Sequence, residues 1–212
     1  EGIVLVEDGV VAADGLTSPV APNPVHIRRT GFDFVEGAGL LGKGTRIGAP
    51  QLALARAAGH GELTVARLPR LAVIECGDEL VGDPADCPPD RLPASNGVMV
   101  AAMAAEAGAL VQRIGPLADD RAALARAFAA AGDADVIVTT AGASVGAHDH
   151  VRGALEDWGA ELAFWRVAIR PGKPLLVAHR GEHIVLGLPG NPVSTFTTAF
   201  LFLLPLLRAM QG

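Results

Sequence analysis

Length, composition and charge limit what this chain can be. Its 212 residues are 50% hydrophobic, which is enough for one full domain core plus a smaller unit. The formal net charge of −6 and the sequence pI near 5.5 argue against a nucleic-acid partner, because there is no basic stripe to displace phosphate counterions. The two cysteines, Cys76 and Cys87, are too few for a disulfide framework and lack metal-ligand spacing. We therefore expect reduced thiols and a cytoplasmic protein.

No uninterrupted apolar run approaches the roughly 18 residues of a membrane span, so we expect no membrane partner. The apolar run at 199–204 is short and is followed by Pro205, which favours a buried helix. No signal peptide is visible, and the chain starts at Glu1 rather than at Met. We expect it to be a piece of a longer protein or a processed chain.

The first third of the chain predicts a small mixed α+β segment. Residues 3–6 read as a strand and residues 7–9 as a hairpin turn. Residues 49–59 predict a helix, with Pro50 in the first turn and Gly59 at the end. Residues 62–68 alternate and stop at Pro69, which favours a strand.

From residue 71 onward strands and helices alternate, which predicts an α/β fold: a three-layer α/β/α domain with a mostly parallel sheet covered on both faces. Within it, the segments around 180–182 predict a hairpin between two strands. The predicted strands are 71–75, 110–114, 135–139, 161–169, 175–179 and 183–186, and the predicted helices are 96–108, 119–131, 151–159 and 193–210.

The loop after strand 136–138 is made of small residues and hydroxyls, which lets backbone N–H groups approach a phosphate. Gly142 and Ser144 lie in this loop, and Asp149 follows it as either a magnesium ligand or a helix N-cap. The loop matches neither a Walker A motif nor a GxGxxG motif, so an ATPase or a Rossmann dehydrogenase is not supported.

The loop after strand 71–75 places two adjacent carboxylates, Asp78 and Glu79, behind Gly77. They suit Mg²⁺, which takes one or two carboxylates plus phosphate oxygens, but from the spacing alone a solvated acidic turn is the better explanation. Asp119 lies at the predicted first turn of helix 119–131, where the helix dipole favours an anion.

The third loop, residues 187–194, combines two prolines that fix φ with two glycines that permit unusual backbone angles. Upstream, Arg166, Arg170 and Lys173 flank a Pro-Gly turn and suit phosphate or another tetrahedral oxyanion, unless they are ordinary surface charges. Because open α/β sheets bind ligands at the carboxyl ends of their strands, we expect all three loops to share one edge.

Four motifs now stand in one order: Gly-Asp-Glu-Leu at 77–80, Ser-Val-Gly at 144–146 with Asp149, Pro-Gly-Lys-Pro at 171–174, and Gly-Leu-Pro-Gly-Asn-Pro-Val-Ser at 187–194. This order resembles the molybdopterin molybdenumtransferases, the molybdenum-insertase family to which the gephyrin E-domain belongs. The segment 28–33 is similar to the family's approach to its central domain.

The resemblance implies an elongated, four-domain homodimer. Residues 71–212 would be the molybdopterin-binding α/β/α domain, residues 25–70 part of an elongated dimerisation or linker domain, and residues 1–24 the remnant of a small β-rich domain. The implied reaction takes adenylylated molybdopterin and molybdate, releases AMP and leaves molybdenum on the dithiolene sulfurs, with Mg²⁺ neutralising the pyrophosphate.

The resemblance also assigns residues to roles. Glu79, Asp119 and Asp149 would be catalytic carboxylates, with Glu79 and Asp149 as the metal ligands. The residues expected to bind the pterin nucleotide are Ser95, Asn96, Gly142, Ser144, Gly146, Arg166, Arg170, Lys173, Pro189, Gly190, Asn191 and Pro192.

Three positions depart from the family pattern: Cys76, Ala94 and Ala141 stand where the family commonly has Ser or Thr, Asp and Gly. They keep two alternatives open. One is a catalytically impaired module that binds molybdopterin or a nucleotide, and the other is a protein similar to the molybdopterin adenylyltransferases.

Overall fold

The computed structural model describes residues 2–141 and 150–212, and it divides into two compact units, Glu1–Leu63 and Thr64–Gly212. The first unit holds a two-stranded antiparallel hairpin, β1 (Val10–Ala12) and β2 (Gly15–Thr17), and one helix, α1 (Ala49–Ala57). Pro50 lies in the first turn of α1, as expected for a residue whose missing N–H would be unpaired there.

The second unit alternates strands and helices. Its strands are β3 (Arg70–Cys76), β4 (Leu80–Val81), β5 (Leu92–Pro93), β6 (Leu110–Leu117), β7 (Val136–Thr139), β8 (Glu161–Trp165), β9 (Leu176–Arg180) and β10 (His183–Gly187). Its helices are α2 (Asn96–Glu106), α3 (Arg121–Ala130), α4 (His150–Asp157), α5 (Pro192–Thr198) and α6 (Leu204–Ala209), with the last two joined by a π-helical turn at Ala199–Leu203.

Within the described residues, six strands form the central sheet in the order β6-β3-β7-β10-β9-β8. Neighbours from β6 to β10 pair in parallel, whereas β9 pairs antiparallel with both β10 and β8. The mostly parallel sheet expected from the sequence is therefore confirmed. The single reversed strand is the predicted hairpin partner of β10.

Helices cover both faces of this sheet. On one face, Phe128 and Leu124 of α3 pack with Leu155 of α4, and all three are nearly or fully buried. On the other face, Val100 of α2 packs with Leu203 and other residues of the C-terminal helix. The central strands β3 and β7 are buried along nearly their whole length between the two helix layers, which is why they read as continuous hydrophobic runs.

Two predicted strands are wrong. Residues 62–68 form no regular element, and the first strand of the sheet begins at Arg70. Of residues 3–6, Ile3 makes an isolated bridge to Asn23 and Val6–Asp8 form a 3₁₀ turn. The hairpin turn lies between β1 and β2, not at 7–9. Alternation predicts an extended segment, but a β-strand also requires a neighbouring strand with which its backbone can form hydrogen bonds.

The predicted helix at 119–131 begins two residues later, at Arg121. Asp120 is its N-cap, and its carboxylate accepts a hydrogen bond from the N–H of Ala123 at 2.8 Å. Asp119 therefore lies before the helix and outside its first turn.

The C-terminal helix, Pro192–Ala209, is long and apolar enough to cross a membrane by composition alone. Ala199, Leu203 and Leu207 on this helix are buried against the sheet. These buried positions belong to the core of the second unit, whereas Phe196, Phe200 and Leu201 on the same helix are exposed.

Candidate functional site at the carboxyl edge of the sheet

One register row runs across all six strands and fixes where the loops lie. Thr139 pairs with Ile74 and with Gly187, Ile74 with Ile114, Gly187 with Leu176, and Leu176 with Trp165. The segments that follow β3, β6, β7 and β10, and the connection from β8 to β9, therefore meet at one edge. We call this edge the rim: residues 75–79, 94–97, 117–120, 139–141, 166–175 and 187–191.

At the end of β3 the chain turns through Gly77, whose φ is +155°. The exposed Glu79 folds its carboxylate back over this residue, so that a Cβ at position 77 would lie 2.7 Å from a Glu79 carboxylate oxygen. Glycine is required here because any side chain would displace the acidic group. The turn thus presents Glu79 on the rim, as the sequence predicts.

Asp119 lies in the loop after β6, next to the loop after β3. Its backbone N–H donates to the carboxylate Oδ1 of Asp78 at 3.0 Å, and this bond ties the loop after β6 to the loop after β3. Asp78, Glu79 and Asp119 therefore form an acidic end of the rim.

The N-terminus of α2 lies on the rim next to the loop after β10. The side chain of Asn96 donates through Nδ2 to the carbonyl oxygen of Gly190 at 2.7 Å. The structure thereby brings together two residues that sequence reasoning placed in the binding site. Ser95, which precedes Asn96, is exposed and makes no side-chain cap hydrogen bond in the described part of the chain.

The loop after β10 is held in a fixed shape by its own side chains. Asn191 is the N-cap of α5, with Oδ1 accepting from the N–H groups of Val193 at 3.1 Å and Ser194 at 3.2 Å. Pro192 occupies the first turn of α5, and the hydroxyl of Thr195 donates to the carbonyl of the buried Pro189. The loop therefore needs no ligand to hold its conformation.

The strand β7 lies between β3 and β10 and ends at Thr139, which is fully buried. Within the described residues, the Thr139 hydroxyl and Oδ1 of Asn96 are buried polar atoms without a hydrogen-bond partner. Unpaired buried polar atoms are costly and rare in folded proteins, so each one calls for an explanation. The predicted residues Gly142, Ser144, Gly146 and Asp149 follow Thr139 along the chain and lie outside the described residues.

The cations lie at the opposite end of the rim, between β8 and β9. Arg166, Arg170 and Lys173 are exposed. The segment is anchored by the N–H of Arg166, which donates to the carbonyl of Leu175 at 2.8 Å, and by Gly172, where a Cβ would lie 2.7 Å from the Thr198 side chain on α5.

Arg166 has a φ of +76°, which is rare for a residue with a side chain. Its guanidinium lies over the indole ring of Trp165, with 4.4 Å from Cζ to the ring centroid. Non-glycine residues in this backbone region cost about 1–3 kcal/mol and concentrate at functional sites.

Charge is therefore separated along the rim. Glu79 follows β3 and Lys173 precedes β9, and these strands are three positions apart in the sheet. At about 4.8 Å per strand, the acidic and basic ends are separated by roughly 14 Å. Asn191, at the end of β10, lies between them. An extended ligand with an anionic group near each end fits this distribution of charge. The anionic group at the acidic end requires a bound cation between it and the carboxylates.

The carboxylates at the acidic end are compatible with magnesium. No group of three acidic, histidine or cysteine side chains suited to a metal exists among the described residues. Mg²⁺ commonly uses one or two protein carboxylates and completes its shell with phosphate and water oxygens. Glu79 and its neighbours fit that requirement, whereas a site built wholly from protein ligands is not present in the described part of the chain.

Sequence reasoning missed Glu75 and Arg113. Glu75 was assigned only as the last residue of a strand, yet its carboxylate is buried and pairs with Arg113 at 2.8 Å. A glutamate inside an otherwise apolar strand was the available signal, since acidic residues are almost never buried without a partner.

Two other ion pairs lie away from the rim. Asp135 precedes β7 at the opposite edge of the sheet and accepts from Arg67, at 2.6 Å for one of two bonds, and from the N–H of Arg70 at 2.7 Å. The hydrogen bonds from Arg67 lower the pKa of Asp135. Arg121 likewise lowers the pKa of Asp157 through a bidentate pair on the surface.

Residues 72–209, more than half of the chain, match the model of the family described as "Probable molybdopterin binding domain". A protein of Synechococcus elongatus named molybdopterin molybdenumtransferase is 41% identical over 221 aligned positions, which include 99% of this chain. A protein of Bacillus subtilis with the same name is 37% identical over 86% of this chain. The chain spans 54% and 43% of the lengths of these two relatives, respectively.

The fold is also similar to solved structures. A molybdopterin biosynthesis protein from Pyrococcus horikosii has a TM-score of 0.80 and 30% identity, covering 100% of this chain and 53% of that one. A structure of molybdenum cofactor biosynthesis protein B has a TM-score of 0.51 and 14% identity over 70% of this chain, which is a likeness of fold alone.

Proposed function

The chain belongs to the family of molybdopterin-binding domains, and from that premise we propose that it binds adenylylated molybdopterin and takes part in inserting molybdenum into it, with release of AMP. Relatives named molybdopterin molybdenumtransferase align with nearly all of the chain, including its first unit, which supports this activity over an adenylyltransferase. Since the chain spans only about half of those relatives, the complete reaction is a property we propose for the full-length protein.

The observation that carries the proposal is the convergence of four predicted segments on the rim. Glu79, Lys173 and Asn191 come from separate parts of the sequence but follow or precede central-sheet strands at one edge, and Asn96 contacts this edge through Gly190. Open α/β sheets bind nucleotides at this edge. The hydrogen bond from Asn96 to Gly190 closes part of this surface into a fixed cradle.

At the acidic end, we assign Glu79 and Asp119 to the nucleotide anhydride. Glu79, together with Asp149, would hold Mg²⁺. Magnesium, when bound, would neutralise the pyrophosphate and so make its cleavage easier. Asp119 would orient the attacking oxygen or receive its proton, since it is held next to Asp78 at the mouth of the loop.

At the basic end, we assign Arg166, Arg170 and Lys173 to anions. Arg offers a planar fork for two oxygens of a phosphate or a molybdate, and Lys offers a compact charge. Arg166 is prepared for this role because its stacking on Trp165 restricts the guanidinium before any ligand binds. Ser95, Gly142, Ser144 and Gly146 would contact the phosphates, and Pro189, Gly190 and Pro192 would form the wall of the cradle.

We further propose the larger organisation of the protein. Residues 71–212 would serve as the molybdopterin-binding domain, residues 25–70 as part of a dimerisation or linker domain, and residues 1–24 as the remnant of a β-rich domain. The full-length protein would be a cytoplasmic homodimer. Sedimentation of the full-length protein at several concentrations tests the dimer.

The test of the function measures AMP release. Full-length protein is mixed with adenylylated molybdopterin, molybdate and Mg²⁺, and AMP is quantified by chromatography. We expect release that depends on molybdate and falls at least about 100-fold in Lys173→Ala, since losing an electrostatic stabiliser of developing charge costs about 2.7–4 kcal/mol. Arg126→Ala, which removes an exposed cation from α3 on the sheet face, is the matched control and should retain activity. Absence of AMP with the wild-type protein would refute the proposed reaction.

A second candidate function is binding without turnover, and Ala94 favours it. Ala94 is buried next to the N-terminus of α2 and supplies no acidic group there. If this is the function, calorimetry should detect binding of AMP in the presence of Mg²⁺, but the protein should release no AMP from the adenylylated substrate. Detectable release eliminates it.

A further inference from the structure

Glu75 is the only acidic or basic side chain that is buried among the residues the structure describes, with 2% of its surface exposed. It lies in β3 one residue beyond Ile74, at the point where the sheet meets the rim. Burying a carboxylate is unfavourable unless every lone pair finds a donor, so its retention in an apolar core requires a reason.

The carboxylate makes two contacts that join separate elements. Oε1 accepts from the backbone N–H of Gly97 in the first turn of α2 at 2.7 Å. Oε2 accepts from Nη2 of Arg113 on β6 at 2.8 Å. One side chain of β3 therefore connects the strand to a neighbouring strand and to a helix on the sheet face.

Glu75 takes the role that a capping residue would have. Ser95 makes no side-chain cap bond to α2, and the free N–H of Gly97 is satisfied by Glu75 instead. A negative charge at this position is also favoured by the helix dipole.

The approach is close, and the residue opposite is small. A Cβ on Gly97 would lie 2.2 Å from the Glu75 carboxyl group, so a side chain larger than hydrogen cannot occupy position 97 without displacing the carboxylate. The local backbone of β3 and α2 is thus built around this contact.

Asn96 is adjacent to Gly97 in the chain, and its amide donates to the carbonyl of Gly190. Because Asn96 directly precedes Gly97 in the first turn of α2, a hydrogen bond that holds the backbone of Gly97 also restrains the position of Asn96. We infer that Glu75 is a positioning residue: by holding the N-terminus of α2 it sets Asn96 against Gly190 and so fixes the loop 187–191 on the rim. The link to ligand binding rests on the proposed function, since Asn96 and Gly190 are assigned there to the cradle.

The alternative is that Glu75 only stabilises the fold. Buried ion pairs contribute little net stability compared with apolar side chains of similar size, whereas they do fix geometry in some proteins. A purely stabilising role would affect the whole second unit equally. A positioning role concentrates its effect on α2 and on the loop after β10.

The first experiment uses amide hydrogen exchange on the full chain without ligand. In Glu75→Ala we expect exchange at least about 10-fold faster in two peptides, 94–100 and 187–194, with unchanged exchange in α3 and α4. In Glu75→Gln the amide oxygen still accepts from Gly97, so we expect the 187–194 peptide to remain close to wild type. In Glu75→Ala, faster exchange at 94–100 without any change at 187–194 overturns the inference, and if only Glu75→Gln folds, the same outcome in that variant overturns it.

Asp135→Asn is the matched control. It weakens a comparable carboxylate–arginine pair in the same unit, but at the opposite edge of the sheet. We expect its exchange to increase near residues 67–70 and 135, with peptide 187–194 unchanged. An equal increase at 187–194 in this control would mean that any loss of stability loosens the loop, and the inference would fail.

The second experiment is a double-mutant cycle on AMP affinity in the presence of Mg²⁺, measured by calorimetry. If Glu75 acts through Asn96, Glu75→Ala and Asn96→Ala should be non-additive, and the double variant should bind no more weakly than Asn96→Ala alone. Independent, multiplying losses overturn the inference. If wild-type protein fails to bind AMP, the proposed function fails, and the exchange experiment still decides the role of Glu75.

Discussion

Asn96 connects two segments of the rim through one hydrogen bond, and the environment of its two polar atoms differs sharply. Nδ2 donates to Gly190, while Oδ1 is buried without a partner in the described part of the chain. The sequence placed Asn96 in the site only through its position in a motif. The structure adds a contact that the motif does not indicate, since the amide joins the N-terminus of α2 to the loop after β10.

Truncating Asn96 should therefore cost little stability. Asn96→Ala loses the bond to Gly190, but it also removes the unpaired Oδ1, and the exposed Gly190 is accessible to water. We expect the free energy of unfolding in urea to fall by less than about 1 kcal/mol. Ser95→Ala, at a position without a cap bond, is the control and should match wild type. A loss above about 2 kcal/mol for Asn96→Ala would show that the side chain is a structural element instead.

The ion pair between Asp135 and Arg67 makes part of the folding stability depend on pH in the acidic range. The folded-state pKa of Asp135 is lowered, first by its side-chain hydrogen bond with Arg67, so the contribution to stability is present above the unfolded pKa. It is lost as the pH falls from about 4 through the lowered folded value.

The corresponding measurement is urea unfolding of wild type and Asp135→Asn between pH 7 and pH 2. We expect the difference in unfolding free energy to be constant from pH 7 to about 5 and to shrink at lower pH. Asp157→Asn is a useful comparison, since its pair with Arg121 is about half exposed on both sides and should contribute less. A difference that grows with acid would contradict the assignment.

At the scale of elements, α2 illustrates how a helix is placed by a neighbour. The side chain of its N-cap residue, Ser95, makes no capping hydrogen bond. The carboxylate of Glu75, on strand β3, accepts from the N–H of Gly97 in the first turn instead. The sequence predicts the helix well, since the pattern of Ala, Val and Met ends at Gly108. The pattern contains no indication that Glu75, 22 residues before Gly97, supplies the cap.

Gly97→Ala tests this placement. The added methyl would overlap the Glu75 carboxyl group, and we expect a loss of about 1–3 kcal/mol of unfolding free energy despite the higher helix propensity of Ala. Gly190→Ala is the matched control for stability, because a Cβ there meets no atom closer than 3.8 Å. Thermal and urea unfolding both report the effect. If Gly97→Ala instead raises the free energy of unfolding, the Glu75 carboxylate can move aside without cost, and the close contact does not contribute to stability.

At the scale of the whole molecule, both hydrophobic clusters and every described rim residue lie in the second unit, Thr64–Gly212. Arg67, which pairs with Asp135, also belongs to it. This unit is of ordinary domain size and has helices on both sheet faces, so it meets the requirements of an independent core.

We expect a fragment of residues 64–212 to unfold cooperatively and to bind AMP with Mg²⁺ within about 3-fold of the affinity of the full chain. Circular dichroism and calorimetry measure the two properties. A shorter fragment, 70–212, lacks Arg67 and should unfold at lower urea with a weaker pH dependence below about pH 5. A non-cooperative 64–212 fragment would show that the first unit is needed to complete the fold.

The sequence by itself predicted the class of the fold, the hairpin of β9 and β10, and the position of the segments that follow β3 and β10 at one edge of the sheet. It could do so because periodicity, glycine and proline report local backbone geometry directly. Tertiary structure alone decided that residues 62–68 have no strand partner, that Asp119 lies before its helix, and that Glu75 is buried against Gly97. Each of those outcomes depends on which distant residue is adjacent in space, and a hydrogen bond or ion pair between segments leaves no periodic signal in either one.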